Sequence, residues 1–536
     1  MDTVRHFIDR YAEQCPKDIW LISPDSDRIF TYGDLGHGVH QIAAGLDQLG
    51  VARGAKVSFL AENGGWTALV HLAIMASGRV VVPLNAVAGD IQLRHILQHS
   101  DTQVAFVAPA YREKLSALVG EVSREIRLID LDPVTGPTWP GGPPPDDQPN
   151  PEPAASDPAL LLYTSGSTGL PKGAVLSHRA IVNGGRNVAN GHNLTKSDRA
   201  LCVLPIYHIN GAMVTVAAPL VSGGSVVMPS RFRASTFWPF IAQYQCTWSS
   251  VVPTIIKYLL DRADQEPYDF GHDERLRCFR FGRSASAPLP VVVLEQWRAV
   301  FNVPMIETLG LTETAGTVSC NPMPPGACKP GSVGIAIGNE IKVIDDDGQD
   351  CPAGIAGEIV IRGDNLLDYY YQSPDVTKSA FVQGWFRTGD LGMLDEDAYL
   401  FITGRLKELI IRGGENIAPR EIDDVLYRHD AVLEAAAVGV DDENYGQEVV
   451  ACVVRRDGHD CSEQELKLLC ESAIGKIKTP KHIYFMDDLP KGPSGKILRL
   501  KLPEMILSMS STASQSDKKE PSPKKKGYPP LYHNQQ

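Results

Sequence analysis

Hydrophobic and polar positions along the chain switch repeatedly between a helical and a strand-like spacing. Residues 67–77, Thr-Ala-Leu-Val-His-Leu-Ala-Ile-Met-Ala-Ser, read as a buried helix. Gly78 is placed to end it, and residues 80–83 (Val-Val-Val-Pro) read as the next strand. Alternation of this kind continues, with one interruption, to about Thr403, and argues for an α/β fold with largely parallel sheets. From Gly404 to about Leu507 the plan changes. Pro419 opens a helix with Ile422, Val425 and Leu426 on one face, and residues 433–440 and 448–454 read as strands. Ser462-Glu463-Gln464-Glu465 is a capping box that starts a helix turning Leu466, Leu469 and Cys470 inward. The pattern therefore divides the chain into a large domain over 1–403, a small α+β domain over 404–507 and a tail over 508–536, where lysines stand among Ser and Pro and disorder is expected.

The interruption is rich in proline: ten of the 39 prolines fall between Pro133 and Pro158, which predicts a surface loop of polyproline character. Residues 201–230 carry no Asp, Glu, Lys or Arg, yet Pro205, His208, Asn210, Pro219 and Gly223-Gly224 break the apolar run. A buried helix plus strand is expected there rather than a membrane span, which needs ~20 unbroken apolar residues.

At 536 residues, with 43 % hydrophobic and 21 % charged residues, the chain is long enough to bury a large core without disulfides or metal staples. The balance of 51 basic against 64 acidic side chains gives −13, which disfavours nucleic acid as a partner. The ten cysteines form no C-x-x-C and several sit in apolar runs, as reduced buried thiols do. The N-terminus lacks the apolar stretch of a signal peptide. A cytoplasmic setting is expected; the oligomeric state is not read from the sequence.

The segment with most chemistry is Leu161-Leu162-Tyr163-Thr164-Ser165-Gly166-Ser167-Thr168-Gly169-Leu170-Pro171-Lys172-Gly173. Glycines let successive backbone N–H groups converge on phosphate oxygens, hydroxyls add donors and a lysine adds charge. The order is not that of a Walker loop, because Pro171 precedes Lys172 and Gly173 follows it. Ala174-Val175-Leu176 continues as a strand, so the loop joins two strands.

This loop resembles the signature of the AMP-forming adenylating superfamily: acyl-CoA synthetases, luciferase-like enzymes and peptide-synthetase adenylation domains. Seven further motifs follow in the family's order. They are Pro205-Ile206-Tyr207-His208-Ile209-Asn210-Gly211, Leu309-Gly310-Leu311-Thr312-Glu313, Gly357-Glu358-Ile359-Val360-Ile361-Arg362-Gly363, Trp385-Phe386-Arg387-Thr388-Gly389-Asp390, Gly404-Arg405-Leu406-Lys407-Glu408, Gly413-Gly414-Glu415-Asn416 and Pro493-Ser494-Gly495-Lys496-Ile497. The resemblance implies a large N-terminal domain of helix-packed β-sheets with a small barrel-like part, and a mobile C-terminal lid. It also implies ATP, Mg²⁺ and coenzyme A as reaction partners, and two half-reactions. A carboxylate attacks the α-phosphate to give an acyl adenylate and pyrophosphate; a thiol then attacks the activated carbonyl.

On that resemblance Thr164, Ser165, Gly166, Ser167, Thr168, Gly169 and Lys172 handle the β- and γ-phosphates. Thr312 contacts the α-phosphate and Glu313 helps hold the metal. Asp390 accepts from the ribose hydroxyls, a task suited to two carboxylate oxygens, and Arg405 touches the nucleotide. Lys496 bridges the substrate carboxylate and the α-phosphate, His208 borders the acyl pocket and thiol entry, Lys407 occupies the hinge, and Gly413 and Gly414 line a pantetheine tunnel. One departure stands out: Leu309 occupies the place of the family's usual Tyr, whose ring stacks on adenine.

For the acid, residues 246–254 and Phe281-Gly282-Arg283-Ser284-Ala285-Ser286-Ala287-Pro288 look like the branch containing oxalate–CoA ligases. Arg283, Ser284, Ser286, His208 and Asn210 suit a second anionic head on a short acid such as oxalate, malonate or sulfoacetate. The alternatives are that Arg283 turns into a structural ion pair and the acid is a medium-chain fatty or aromatic one, or that the enzyme loads a carrier protein. A luciferase-like oxygenase is a third class.

Overall fold

The computed structural model describes residues 2–144, 151–164, 171–263, 273–492 and 497–516, with side chains to 509. Contacts separate two units, one running to Lys407 and the other built on Glu408–Pro490 and the chain after Ile497.

Two large sheets organise the first unit. One has eight strands in the order Tyr369–Tyr370, Lys172–Ser177, Pro158–Thr164, Val80–Pro83, Lys56–Leu60, Thr102–Val107, Arg127–Asp132 and Gly136–Thr138. The other has nine, and its middle strands Arg199–Leu201, Trp248–Val251, Phe281–Ser284 and Met305–Leu311 run parallel. The helix Gly65–Ala76 touches strands of both sheets, which explains why it is apolar on every side. Gly78, at φ +74°, terminates it in the left-handed conformation that favours glycine.

A third, antiparallel sheet of five strands contains Glu340–Ile344, Gly357–Arg362, Trp385–Leu394, Phe381–Val382 and Leu400–Arg405. It supplies the smaller β part expected beside the large sheets. Its apolar face packs Val343, Ile359, Ile361 and Leu400 with Leu309 and Val318.

The second unit places the helix Pro419–Leu426 and the helix Glu463–Lys478 against strands Val432–Asp442 and Gly446–Arg455. Ile422, Val425 and Leu426 are buried, and the Ser462–Glu465 capping box forms in both directions. Asp423 and Arg499 pair at 2.6 Å beneath the same strands, and the Asp423 carboxylate also accepts from the Ala437 N–H at 2.7 Å.

Two expectations are revised, and the buried helix plus strand expected over 201–230 is found and refined. The proline-rich stretch is not entirely loop: Gly136–Thr138 is a strand, permitted because it lies at the sheet edge, where Pro137 costs no central ladder bond. In the charge-free stretch, Asn210–Ala217 is a π-helix continuing into the helix Ala218–Ser222 before the strand Ser225–Val227. The tail expected from 508 is helical at its start, since Leu502–Ser516 forms one helix; its Lys-rich remainder lies outside the described residues. All ten cysteines are free. Among the described residues no helix is long and apolar enough to cross a membrane.

Candidate functional site

The strands Pro158–Thr164 and Lys172–Ser177 form an antiparallel pair in which Thr164 lies opposite Lys172. The glycine- and hydroxyl-rich segment thus connects two paired strands, unlike a Walker loop. Ser165, Gly166, Ser167, Thr168 and Gly169 lie outside the described residues, as does Lys496.

Thr312 and Glu313 form a short 3₁₀ turn after the strand Met305–Leu311. Ala315 leaves this turn at φ +45°, and the helix His178–Gly191 approaches it so closely that a Cβ on Gly184 would run into the Ala315 carbonyl. Glu313 is half-buried, and one carboxylate oxygen accepts from the Tyr370 hydroxyl at 2.9 Å. Burial raises the Glu313 pKa, opposed by the Tyr370 hydrogen bond and the charge of Arg405. Among the described residues no Lys or Arg forms an ion pair with it.

Asp390 and Arg405 lie opposite each other on neighbouring antiparallel strands, and their side chains pair at 2.6 Å. Asp390 is buried, while Arg405 is partly open to solvent. Thr388 fixes the approach to Asp390, donating its hydroxyl to the Ile359 carbonyl at 2.7 Å and accepting from the Asp390 N–H at 3.0 Å. Glu313, Asp390 and Arg405 act on one another electrostatically, so the turn and the five-stranded sheet face a common region.

His208 is half-buried and its pKa is lowered by burial, which keeps the imidazole neutral near pH 7. The loop before it is pinned by Asn63, which donates to the Leu204 carbonyl and accepts from the Ile206 N–H, each at 2.9 Å. Asn63 carries no sequence signal; only the fold brings it to this loop.

Arg283 stands on a central strand of the nine-stranded sheet with Ser250 beside it in register. Its guanidinium donates to Ser250 Oγ at 2.9 Å, Asn210 Oδ1 at 3.2 Å and Thr317 Oγ1 at 2.8 Å. Ser250 donates to the same Asn210 oxygen at 2.8 Å, and Asn210 Nδ2 donates to Ser286 at 3.3 Å. Ser286 holds φ at +71°, a conformation unusual for serine. Arg283 is 1 % exposed, and burial lowers its pKa to about 10. Among the described residues no carboxylate pairs with it, so the alternative of a structural ion pair finds no partner there. Among the described residues, Arg283 Nε and the buried Ser284 hydroxyl have no hydrogen-bond partner. The cluster therefore holds a desolvated positive charge and two unused donors at the carboxyl end of parallel strands, where open α/β sheets bind ligands. Thr317 was not legible from sequence as part of it.

Leu309 is buried against Val318, Val333 and Leu400, so this position serves core packing. Lys407 lies exposed in the 3₁₀ turn Leu406–Glu408. Gly413 and Gly414, at φ +60° and +89°, form the two-residue turn between strands Ile410–Arg412 and Glu415–Ile417. Positive φ at both places favours glycine there for the turn's own sake.

Among the described residues no group of three or more His, Cys, Asp or Glu side chains is arranged to hold a metal. Glu313, a carboxylate with no basic partner among the described residues, fits Mg²⁺ instead, since that ion is commonly bound by one or two carboxylates together with nucleotide phosphates and water.

Comparison with known proteins places this arrangement in context. The model for AMP-binding enzymes matches residues 8–371, and that for the AMP-binding enzyme C-terminal domain matches 421–496. The chain is 46 % identical to a sulfoacetate–CoA ligase of Cupriavidus necator over 94 % of its length and 97 % of that protein. It is 33 % identical to an oxalate–CoA ligase of Arabidopsis thaliana over 93 % of its length and 97 % of that protein. The crystal structure of ATP-bound MatB from Rhodopseudomonas palustris superposes with a TM-score of 0.86 at 28 % identity, covering 95 % of this chain and all of that one.

Proposed function

The chain belongs to the AMP-binding enzyme family, and from that premise we infer that it is an ATP-dependent acid–CoA ligase acting on a short acid with a second anionic head. In the first half-reaction a carboxylate oxygen of the acid bonds to the α-phosphorus, and the bond from that phosphorus to the bridging oxygen breaks, releasing pyrophosphate. In the second, the sulfur of CoA bonds to the acyl carbon, the acyl–phosphate C–O bond breaks and AMP leaves. The thiol proton is lost in that step.

The observation that carries the choice of acid is Arg283. A fully buried guanidinium held by three neutral acceptors, with no carboxylate among the described residues, keeps its charge for a ligand. Arg283 Nε and Ser284 Oγ are donors without partners among the described residues, and Asn210 and Ser286 complete the polar wall. An anionic head placed there accepts charge-assisted hydrogen bonds and replaces its lost hydration. The similarity to a sulfoacetate–CoA ligase and an oxalate–CoA ligase supports the same class.

The remaining roles follow the charge flow. Lys172, Thr164 and the loop between them receive the phosphates that become pyrophosphate. Glu313 holds Mg²⁺, which neutralises the phosphate oxygens when bound, and Thr312 contacts the α-phosphate. Asp390, oriented by Arg405, accepts from the ribose hydroxyls. Lys496 draws the acid carboxylate and the α-phosphate together, offsetting their repulsion. Neutral His208 borders the acyl site where the thiol arrives. Lys407 is the hinge, and Gly413 and Gly414 contact the pantetheine arm.

The test is pyrophosphate release from Mg-ATP with oxalate, malonate, sulfoacetate, octanoate, palmitate and benzoate, each with and without CoA. CoA-dependent turnover confined to the three short acids is expected. Turnover of octanoate or benzoate in their place would overturn the anionic pocket, and release without thioester formation would overturn the ligase.

A further inference from the structure

We propose that Tyr370 is a positioning residue for adenylation, its hydroxyl setting the orientation in which Glu313 meets the metal and the nucleotide phosphates. The proposal rests on the role given to Glu313 above.

Tyr370 is 9 % exposed and sits in the main core of the large unit, so its ring has little freedom. Its backbone N–H donates to Thr377 Oγ1 at 2.9 Å, fixing the strand end that carries it. The hydroxyl is a proton donor at neutral pH, and at 2.9 Å it occupies one oxygen of Glu313. That leaves the second oxygen to meet a cation in one orientation. A glutamate without this bond would sample several rotamers before each binding event.

Tyr370 belongs to a segment with two faces. Toward the Thr312–Thr314 turn, Leu367 N–H donates to the Glu313 carbonyl and Asn365 Nδ2 to the Thr314 carbonyl, both at 2.6 Å. Toward the strand Lys172–Ser177, Asp368 N–H donates to the Val175 carbonyl at 2.9 Å and Tyr371 N–H to the Gly173 carbonyl at 2.8 Å. The Asp368 carboxylate also accepts from the Ser177 N–H at 2.9 Å. Residues 365–371 therefore tie the strand that begins at Lys172 to the turn that carries Glu313. Tyr370 is the member whose side chain reaches the carboxylate itself. Hydrogen bonds of this outer kind typically contribute about 10- to 100-fold to metal affinity or activity.

Tyr370→Phe removes the hydroxyl and keeps the ring. Calorimetry with a non-hydrolysable ATP analogue should show affinity in Mg²⁺ weakened about tenfold, with affinity in EDTA unchanged. Acyl-adenylate formation should slow, while thioester formation from supplied acyl adenylate and CoA should proceed at the wild-type rate. Wild-type Mg²⁺ dependence, or equal loss in both half-reactions together with a lower melting temperature, would overturn the proposal. Glu313→Gln separates the two readings. Normal adenylation by Glu313→Gln overturns both, whereas impaired Glu313→Gln beside normal Tyr370→Phe overturns the role of Tyr370 alone. If the Phe variant melts early but its loss is confined to adenylation, the double variant decides: losses no greater than those of Glu313→Gln uphold the coupling, and additive losses overturn it.

Discussion

The Arg283 guanidinium donates to the Thr317 hydroxyl at 2.8 Å, from a strand in the middle of the nine-stranded sheet. Among the described residues its partners are all neutral, which leaves the positive charge uncompensated. Arg283→Met should therefore lower kcat/KM for the short anionic acids roughly 10- to 150-fold, the value of a charge-assisted hydrogen bond of about 1.5–3 kcal/mol. KM for ATP should not change. Because an apolar side chain of similar size replaces a buried ion, thermal stability should hold or rise. Steady-state kinetics with oxalate, malonate and sulfoacetate, beside a melting curve, checks both halves.

Asp390 is buried and its Arg405 partner is not, so the carboxylate is the fixed member of the pair. Asp390→Asn keeps the volume and removes the charge. ATP kcat/KM should fall roughly tenfold or more, with KM for the acid unaltered. Varying ATP at saturating acid, then acid at saturating ATP, distinguishes this from a general loss of structure.

Gly184 lets the helix His178–Gly191 reach the backbone at Ala315. Gly184→Ala should push the Thr312–Thr314 turn away and cost about 1–3 kcal/mol of stability, as overpacking does. Adenylation should slow more than thioester formation. Equal rates for wild type and variant in the pyrophosphate-exchange half-reaction would refute this account.

His71 is fully buried in the helix Gly65–Ala76, neither ring nitrogen has a hydrogen-bond partner among the described residues, and burial lowers its pKa from 6.5 to about 4. A depressed folded pKa means that between these values the unfolded chain binds the proton and the folded chain does not. Stability is thus lost as pH falls from about 6.5 toward 4. The contribution is roughly 2 kcal/mol between pH 7 and pH 5. His71→Leu should reduce this acid sensitivity, measured by urea unfolding at the two pH values.

Much of the scaffold was legible because local chemistry and tertiary packing agree. Pro419 opens its helix, Ser462 and Glu465 cap theirs, and Gly78 ends the helix that both large sheets enclose. The strand Gly136–Thr138 was hidden because edge pairing tolerates a proline that local propensity rejects. In the site, Arg283 and Glu313 stood inside recognisable motifs. Tyr370 and Thr317 did not, because their roles arise from approaches across the fold. Tyr370 is 57 residues from the carboxylate it holds, and Thr317 is 34 from Arg283. No spacing rule reaches that far. Whether Arg283 would meet a carboxylate was likewise a question only its neighbours answer.

The wide turns of the π-helix Asn210–Ala217, where the Ala218 N–H reaches five residues back to the Met213 carbonyl, accommodate more chain than an α-helix would. Deleting a single codon within 211–217 would let the segment close into the ordinary helix that already follows at Ala218–Ser222. Because the π-helix turns less per residue, an α-helix one residue shorter covers nearly the same rotation, and Asn210 would keep its direction toward Ser250 and Arg283. The polar side chains around Arg283, and their convergence, would both survive such an event. This stretch is therefore a place where a descendant lineage can lose one residue and still keep the arrangement around Arg283.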